Sequence, residues 1–152
     1  MVARESPTHA ALVIVRVAIG ALLLIEAHEL WTRGVGAWIA EDTAYRVAEG
    51  PDWYATFAHA LVLRFPSIFA WLVFGGLLAA GASYFVGAFV RPASVGLVIL
   101  MANVIAAGPR SRREYAMLIA ACALACFAGD AGKRFGLDGW RPQPAPRLGS
   151  VE

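Results

Sequence analysis

Charge is what this sequence has least of. Only 16% of its 152 residues are Asp, Glu, Lys or Arg, while 59% are hydrophobic. A soluble domain averages about 25% charged and 45–50% apolar. A net charge of +2 is too small to point to nucleic acid as a partner. Two cysteines do not make a disulfide framework. His9, His28 and His59 all lie near or outside the ends of apolar runs, which argues against haem, whose ligands project into a bundle from mid-helix. Metal binding by His28, His59 and nearby acids is a minority reading, and no metal is expected. Flavin, NAD, haem and iron–sulfur motifs are absent, so no intrinsic cofactor is expected. No A-x-A pattern follows the first apolar run, where the chain reads IEAHELW. That run is therefore expected to be a retained helix and not a cleaved signal.

What is present is length without charge. Residues 10–30, AALVIVRVAIGALLLIEAHEL, are almost wholly apolar around one arginine, Arg16. A run of about 20 such residues fits a bilayer span. Ser67–Val90 carries no charge over 24 residues and is rich in Gly, Ala and Ser, small residues that let helices approach closely where lipid gives no hydrophobic drive. Two shorter runs follow, ended by Gly108–Pro109 and by Asp130. The expected fold is all-α: an up-and-down integral membrane four-helix bundle, one domain over 1–152. The spans fall at about 9–30, 67–90, 92–107 and 115–130, with a polar tail at 131–152. Trp31 and Trp38 suit an interfacial aromatic belt.

The long connection after the first span is expected to loosen at Gly34 and Gly36 and to restart as a helix at Pro51–Asp52. Trp53, Phe57 and Leu61 recur at i, i+4, i+8 and form one apolar stripe. This predicts a short interfacial helix on the membrane surface or capping the bundle; an ordinary amphipathic helix packed on protein fits equally well. Counting Lys and Arg on the two sides gives a tie, so orientation stays open. The basic cluster at 110–113, read as a short loop, favours its own side as cytoplasmic.

Several motifs occur in a set order: Arg16–Gly20 as R-x-x-x-G, PDWYATF, FPSIFAWLV, Gly81–Gly87 followed by Arg91–Pro92, and FAGDAGKRFGLDGW at 127–140. Together these resemble the DoxX/DoxD family of small four-helix membrane proteins over residues 11–140. The resemblance implies a multi-pass protein of a bacterial inner membrane. It also implies a subunit or accessory of a quinone-linked, thiosulfate-oxidising type of redox complex, with quinone as ligand and a soluble oxidoreductase subunit, or further copies of the chain, as partner. Family members often carry a glutamate where this chain has Leu77 and a lysine where it has Leu30. Whether the chain is itself an enzyme is left open. A non-enzymatic membrane scaffold or assembly factor is the alternative, and a small transporter a third.

Five residues are candidates for a ligand or quinone site. Arg16 costs about 2.5–3.5 kcal/mol at a helix centre, and Asp130 at the end of the fourth span is its expected partner. The pair reads either as an anion or quinone-head site, or as a snorkelling lock between first and last spans. Glu26 and His28, with Glu29, sit at the opposite surface, where ion pairs with Arg110, Arg112 and Arg113 are expected. Asn103 is the one strongly polar residue inside a charge-free span; an interhelical hydrogen bond to Tyr84 or Ser83 is expected. Cys122 and Cys126, four apart, read as small packing residues.

Overall fold

A computed structural model describes residues 7–108, 110–129 and 131. The described residues form six helices and no strand: α1 (Pro7–Arg33), α2 (Val35–Glu49), α3 (Asp52–Phe57), α4 (Pro66–Val86), α5 (Val90–Ala107) and α6 (Arg110–Ala128). A π-turn over Ala58–Val62 continues α3. Among the described residues α1, α4 and α5 are long and apolar enough to cross a membrane, so the chain is read as a membrane protein. α6 opens on Arg112, Arg113 and Glu114 just after Arg110 and is not among the three.

The long helices pack in chain order around a ring. α1 lies most extensively against α4, α5 against α6, α4 against α5, and α1 against α6. Neighbours run antiparallel. Along α1 and α4, Gly20 meets Gly81 and Phe85, while Trp31 stacks on Trp71 and Phe74. Glycine is needed at that crossing, since a methyl on Gly20 would fall 2.7 Å from the Phe85 backbone nitrogen and 3.0 Å from the Gly81 carbonyl oxygen. α4 and α5 are joined by a tight turn in which Gly87 and Phe89 both take positive φ. The turn therefore lies at Gly87–Phe89, and Arg91–Pro92 belongs to the first turn of α5, where proline's missing N–H has no bond to lose.

The largest departure from expectation is α2. Residues 35–49 form a 15-residue helix where a loosened connection was expected. A single residue, Gly34 at φ 87, turns the chain from α1 into α2, a backbone conformation that glycine adopts without strain. α2 packs on α4, α1 and α3, burying Val35 and Ile39 with Val62 and Ala70. The Gly36 position breaks nothing. The start of α3 falls at Asp52 as expected, but its packing face is shifted by one residue. Tyr54, Ala58 and Val62 are buried, while Trp53 and Leu61 are exposed. Of the stripe read from sequence, Trp53 and Leu61 face outward, while Phe57 is half-buried and packs on both neighbouring clusters. Trp31 is exposed and sits in an aromatic cluster with Trp71. Trp38 instead packs inward against the core, so it does not join a surface belt.

Candidate functional site

The second polar helix creates the site. α2 crosses the end of the bundle where α1 finishes, α5 finishes and α6 begins. Beneath it lies a cavity of about 730 Å³. Its walls divide by chemistry. Toward the bundle centre they are Leu23, Leu77, Leu100, Met101 and Ile119; toward α2 they are Asp42, Thr43, Arg46, Tyr54, Asn103 and Arg112. An apolar shaft with a polar head is the result.

Arg46 organises the head. It is 5% exposed, its Nε donates to Asp42 Oδ2 at 2.6 Å, and its Nη1 donates to Asn103 Oδ1 at 3.1 Å. The i,i+4 spacing of Asp42 and Arg46 places both on one face of α2. Arg112 Nη1 lies 3.5 Å from Asp42 Oδ1. One carboxylate thus faces two guanidiniums, while Glu26, Glu29 and Arg33 also line the cavity, so its acids and arginines balance at three each. Beside them, burial pushes the Tyr54 phenol above its usual pKa; the Arg46 guanidinium opposes the shift in part and Asp42 adds to it.

Arginines in the first turn of α6 oppose that helix's own dipole. Two contacts offset this. Arg112 reaches Asp42, and Arg113 Nε donates to the Gly108 carbonyl at 2.9 Å, at the negative end of α5. The cluster at 110–113 is therefore helical, not a loop.

The candidates read from sequence fall in different places. Arg16 is 2% exposed and its Nη1 donates to the Ala131 carbonyl at 2.7 Å, at the end of the bundle away from the cavity. Asp130 lies outside the described residues. Glu26 lines the cavity, but His28 is exposed and is not among its walls. The expected ion pairs between Glu26, His28 or Glu29 and the arginines of α6 do not form among the described residues. Glu29 pairs with Arg33 at 3.3 Å on its own helix, and α2 draws Arg112 to Asp42. Asn103 joins the head through Arg46. Its expected partner Tyr84 instead meets Ser94, with hydroxyls 2.6 Å apart; Ser94 donates onward to the Val90 carbonyl, so Tyr84 supplies the proton. Cys126 is buried in the core and Cys122 packs against it, both as thiols. Among the described residues no group of three His, Cys, Asp or Glu side chains is placed to hold a metal.

Asp42, Thr43, Arg46 and Tyr54 were missed by the sequence reading. The available signal was the Asp42/Arg46 spacing within a 15-residue stretch lacking proline. No family model, curated protein or solved structure matches the chain.

Proposed function

We propose that the chain is a four-helix integral membrane protein, with α6 as its fourth span, that holds a lipid-soluble quinone and serves a redox complex as a membrane subunit. One observation carries this reading: the cavity pairs an apolar shaft with a compact hydrogen-bonding head. A quinone has that form, with a ring bearing two carbonyl acceptors and an isoprenoid tail. Arg46, Thr43 and Tyr54 supply donors at the head, and leucine and methionine side chains give the tail an apolar lining.

The apolar part of α6, from Tyr115 to Ala128, is about 21 Å long at 1.5 Å per residue. It is short of the ~30 Å hydrocarbon core. Snorkelling of the arginines before it makes up the difference. The resemblance to DoxX/DoxD proteins, in a bacterial inner membrane, points the same way. Leu30 and Leu77, which stand at the family's lysine and glutamate positions, are both buried and both line the cavity. In this chain the polar load at the cavity is carried instead by Arg46, Asp42 and Asn103. A transporter for polar solutes would need polar groups at mid-bundle, and there the walls are apolar.

The test is purification of the full chain in native-lipid particles, with quinone and co-purifying proteins quantified by mass spectrometry. The reading expects about one quinone per chain, reduced when Leu100→Trp fills the shaft. A folded chain carrying neither quinone nor an oxidoreductase would replace this reading with a scaffold role.

A further inference from the structure

The seam between α1 and α6 is a wedge. At one end it is shut. A Cβ on Gly129 would fall 2.5 Å from Leu12 Cδ1, and Arg16 is hydrogen-bonded to the Ala131 carbonyl. Three to four turns further along α1 the seam keeps a buried inner side, with Ala27 and Ala116 in the core, but its outer side borders the cavity. Leu22, Glu26 and Glu29 of α1 and Arg112 and Tyr115 of α6 all line the cavity, and all five are exposed. Residues that are both cavity wall and outer surface mark an opening; Arg33, Leu72 and Asn103 share this property, and the five on the facing sides of α1 and α6 gather along one seam. α4 gives α1 a close glycine crossing on its other flank, so α1 is held on that side.

Glu26 stands on the rim of this opening. Among the described residues it has no ion pair. The neighbouring carboxylates are paired: Glu29 with Arg33, and Asp42 with Arg46 and Arg112. Counting back from Arg33 at 1.5 Å per residue, Glu26 lies about 10 Å below the end of α1. The opening therefore faces lipid in its lower part and the head-group region at its rim.

We infer that this wedge is a lateral portal through which an amphipathic molecule passes between the bilayer and the cavity. The head group of the molecule passes Glu26 and Tyr115 to reach Arg46 and Asn103, while its tail follows between Leu22 and Ile119. This rests on the reading that the cavity holds a lipid-soluble ligand, and adds the route and the residues that govern it.

The test uses the full chain in lipid nanodiscs with decylubiquinone as probe. Binding is followed by stopped-flow quenching of tryptophan fluorescence, taking the component lost in Trp38→Phe, since Trp38 lines the cavity. In a Cys122→Ala/Cys126→Ala background, Glu26→Cys and Tyr115→Cys are joined by a cleavable bis-maleimide. Joining the rim should slow probe exchange at least ~10-fold, as expected when a gate limits the rate. Cleavage, followed by removal of reductant, should restore it in the same molecules, which shows that the variant is folded. Leu22→Trp, at an exposed position that needs no cross-link, should slow exchange in the same direction. Unchanged exchange in both the joined protein and Leu22→Trp would overturn the portal and leave the quinone reading standing. Absence of any Trp38-dependent quenching in the unmodified chain would overturn both.

Discussion

Among the described residues two arginines are buried, one at each end of the bundle, and they do different work. Arg16 interrupts the most apolar stretch of the chain and is enclosed where α1 and α6 are pressed together. Its Nη1 is bonded to the Ala131 carbonyl, and it is not among the walls of the cavity beneath α2. Arg46 lies in a polar stretch and faces a cavity of about 730 Å³, bonded to an acid and an amide side chain. The first ties chain to chain. The second presents charge and hydrogen-bond donors to a space that a molecule can enter. A buried charge is thus not by itself a site; what decides is whether its surroundings are filled by protein or left open.

Removing the cavity arginine should give the largest effect. Arg46→Leu leaves Asp42 largely buried with only the exposed Arg112 for a partner. Breaking such a pair costs about 3–5 kcal/mol, read as a fall in thermal stability in detergent. A loss below ~1 kcal/mol would mean that Asp42 is already hydrated, and the two arginines would then differ less than their burial indicates. Arg16→Met removes a charge-assisted bond to a carbonyl and should cost about 1.5–3 kcal/mol. It should leave ligand affinity per folded molecule unchanged. Weakened binding at wild-type stability would collapse the distinction between the two ends.

The closed flank of α1 can be tested by methyl groups. Gly20→Ala forces the α1–α4 backbones apart and should cost about 1–3 kcal/mol. Gly76→Ala meets open space and should stabilise by roughly 0.5–1 kcal/mol through helix propensity. Equal effects would deny the close crossing of α1 and α4. The smallest effect is a pH dependence at the open end. Burial raises the Tyr54 pKa in the folded chain above the 10.0 of an exposed phenol, so the folded chain keeps a proton that the unfolded chain releases. The stability this confers is intact below about pH 10 and is lost as pH rises through the folded value. Tyr54→Phe should reduce that alkaline loss, measured as the difference in denaturation midpoint between neutral and alkaline buffer.

Helical class and apolar spans were legible in the sequence because lipid-facing helices need no periodicity, only length and low charge. Three of the spans are present by length and composition. Boundaries shifted where glycine and proline acted differently from their usual reading. Gly87, and not Arg91–Pro92, makes the α4–α5 turn, and Gly34 alone separates α1 from α2. The cavity head was illegible for a different reason. Asp42, Thr43 and Arg46 sit among polar residues, and a polar stretch reads as solvated surface until tertiary contacts bury it. The Asp42/Arg46 spacing is visible in sequence, but its burial depends on α4 and α5, far along the chain. Asn103 was noticeable because it is polar in an apolar run. Arg16 stood out for the same reason, although it faces protein. Glu26 was noticeable as an acid at the far end of an apolar run, and its place in the cavity wall depends on α2 and α6, which close the space around it. On α3 the sequence showed the stripe of Trp53, Phe57 and Leu61 but not the second face, Tyr54, Ala58 and Val62, which makes most of the contact with the rest of the fold.

The most direct measurement of the central claim is an equilibrium titration of the full chain in nanodiscs with decylubiquinone, followed by Trp38-dependent fluorescence and repeated in Arg46→Lys and Arg16→Lys. Both substitutions keep the positive charge while removing the guanidinium fork. The account predicts saturable binding at one probe per chain, weakened by roughly 1–3 kcal/mol in Arg46→Lys through loss of hydrogen bonds to the buried head and unaltered in Arg16→Lys. Binding that is absent, or that weakens with Arg16 and not with Arg46, would contradict it.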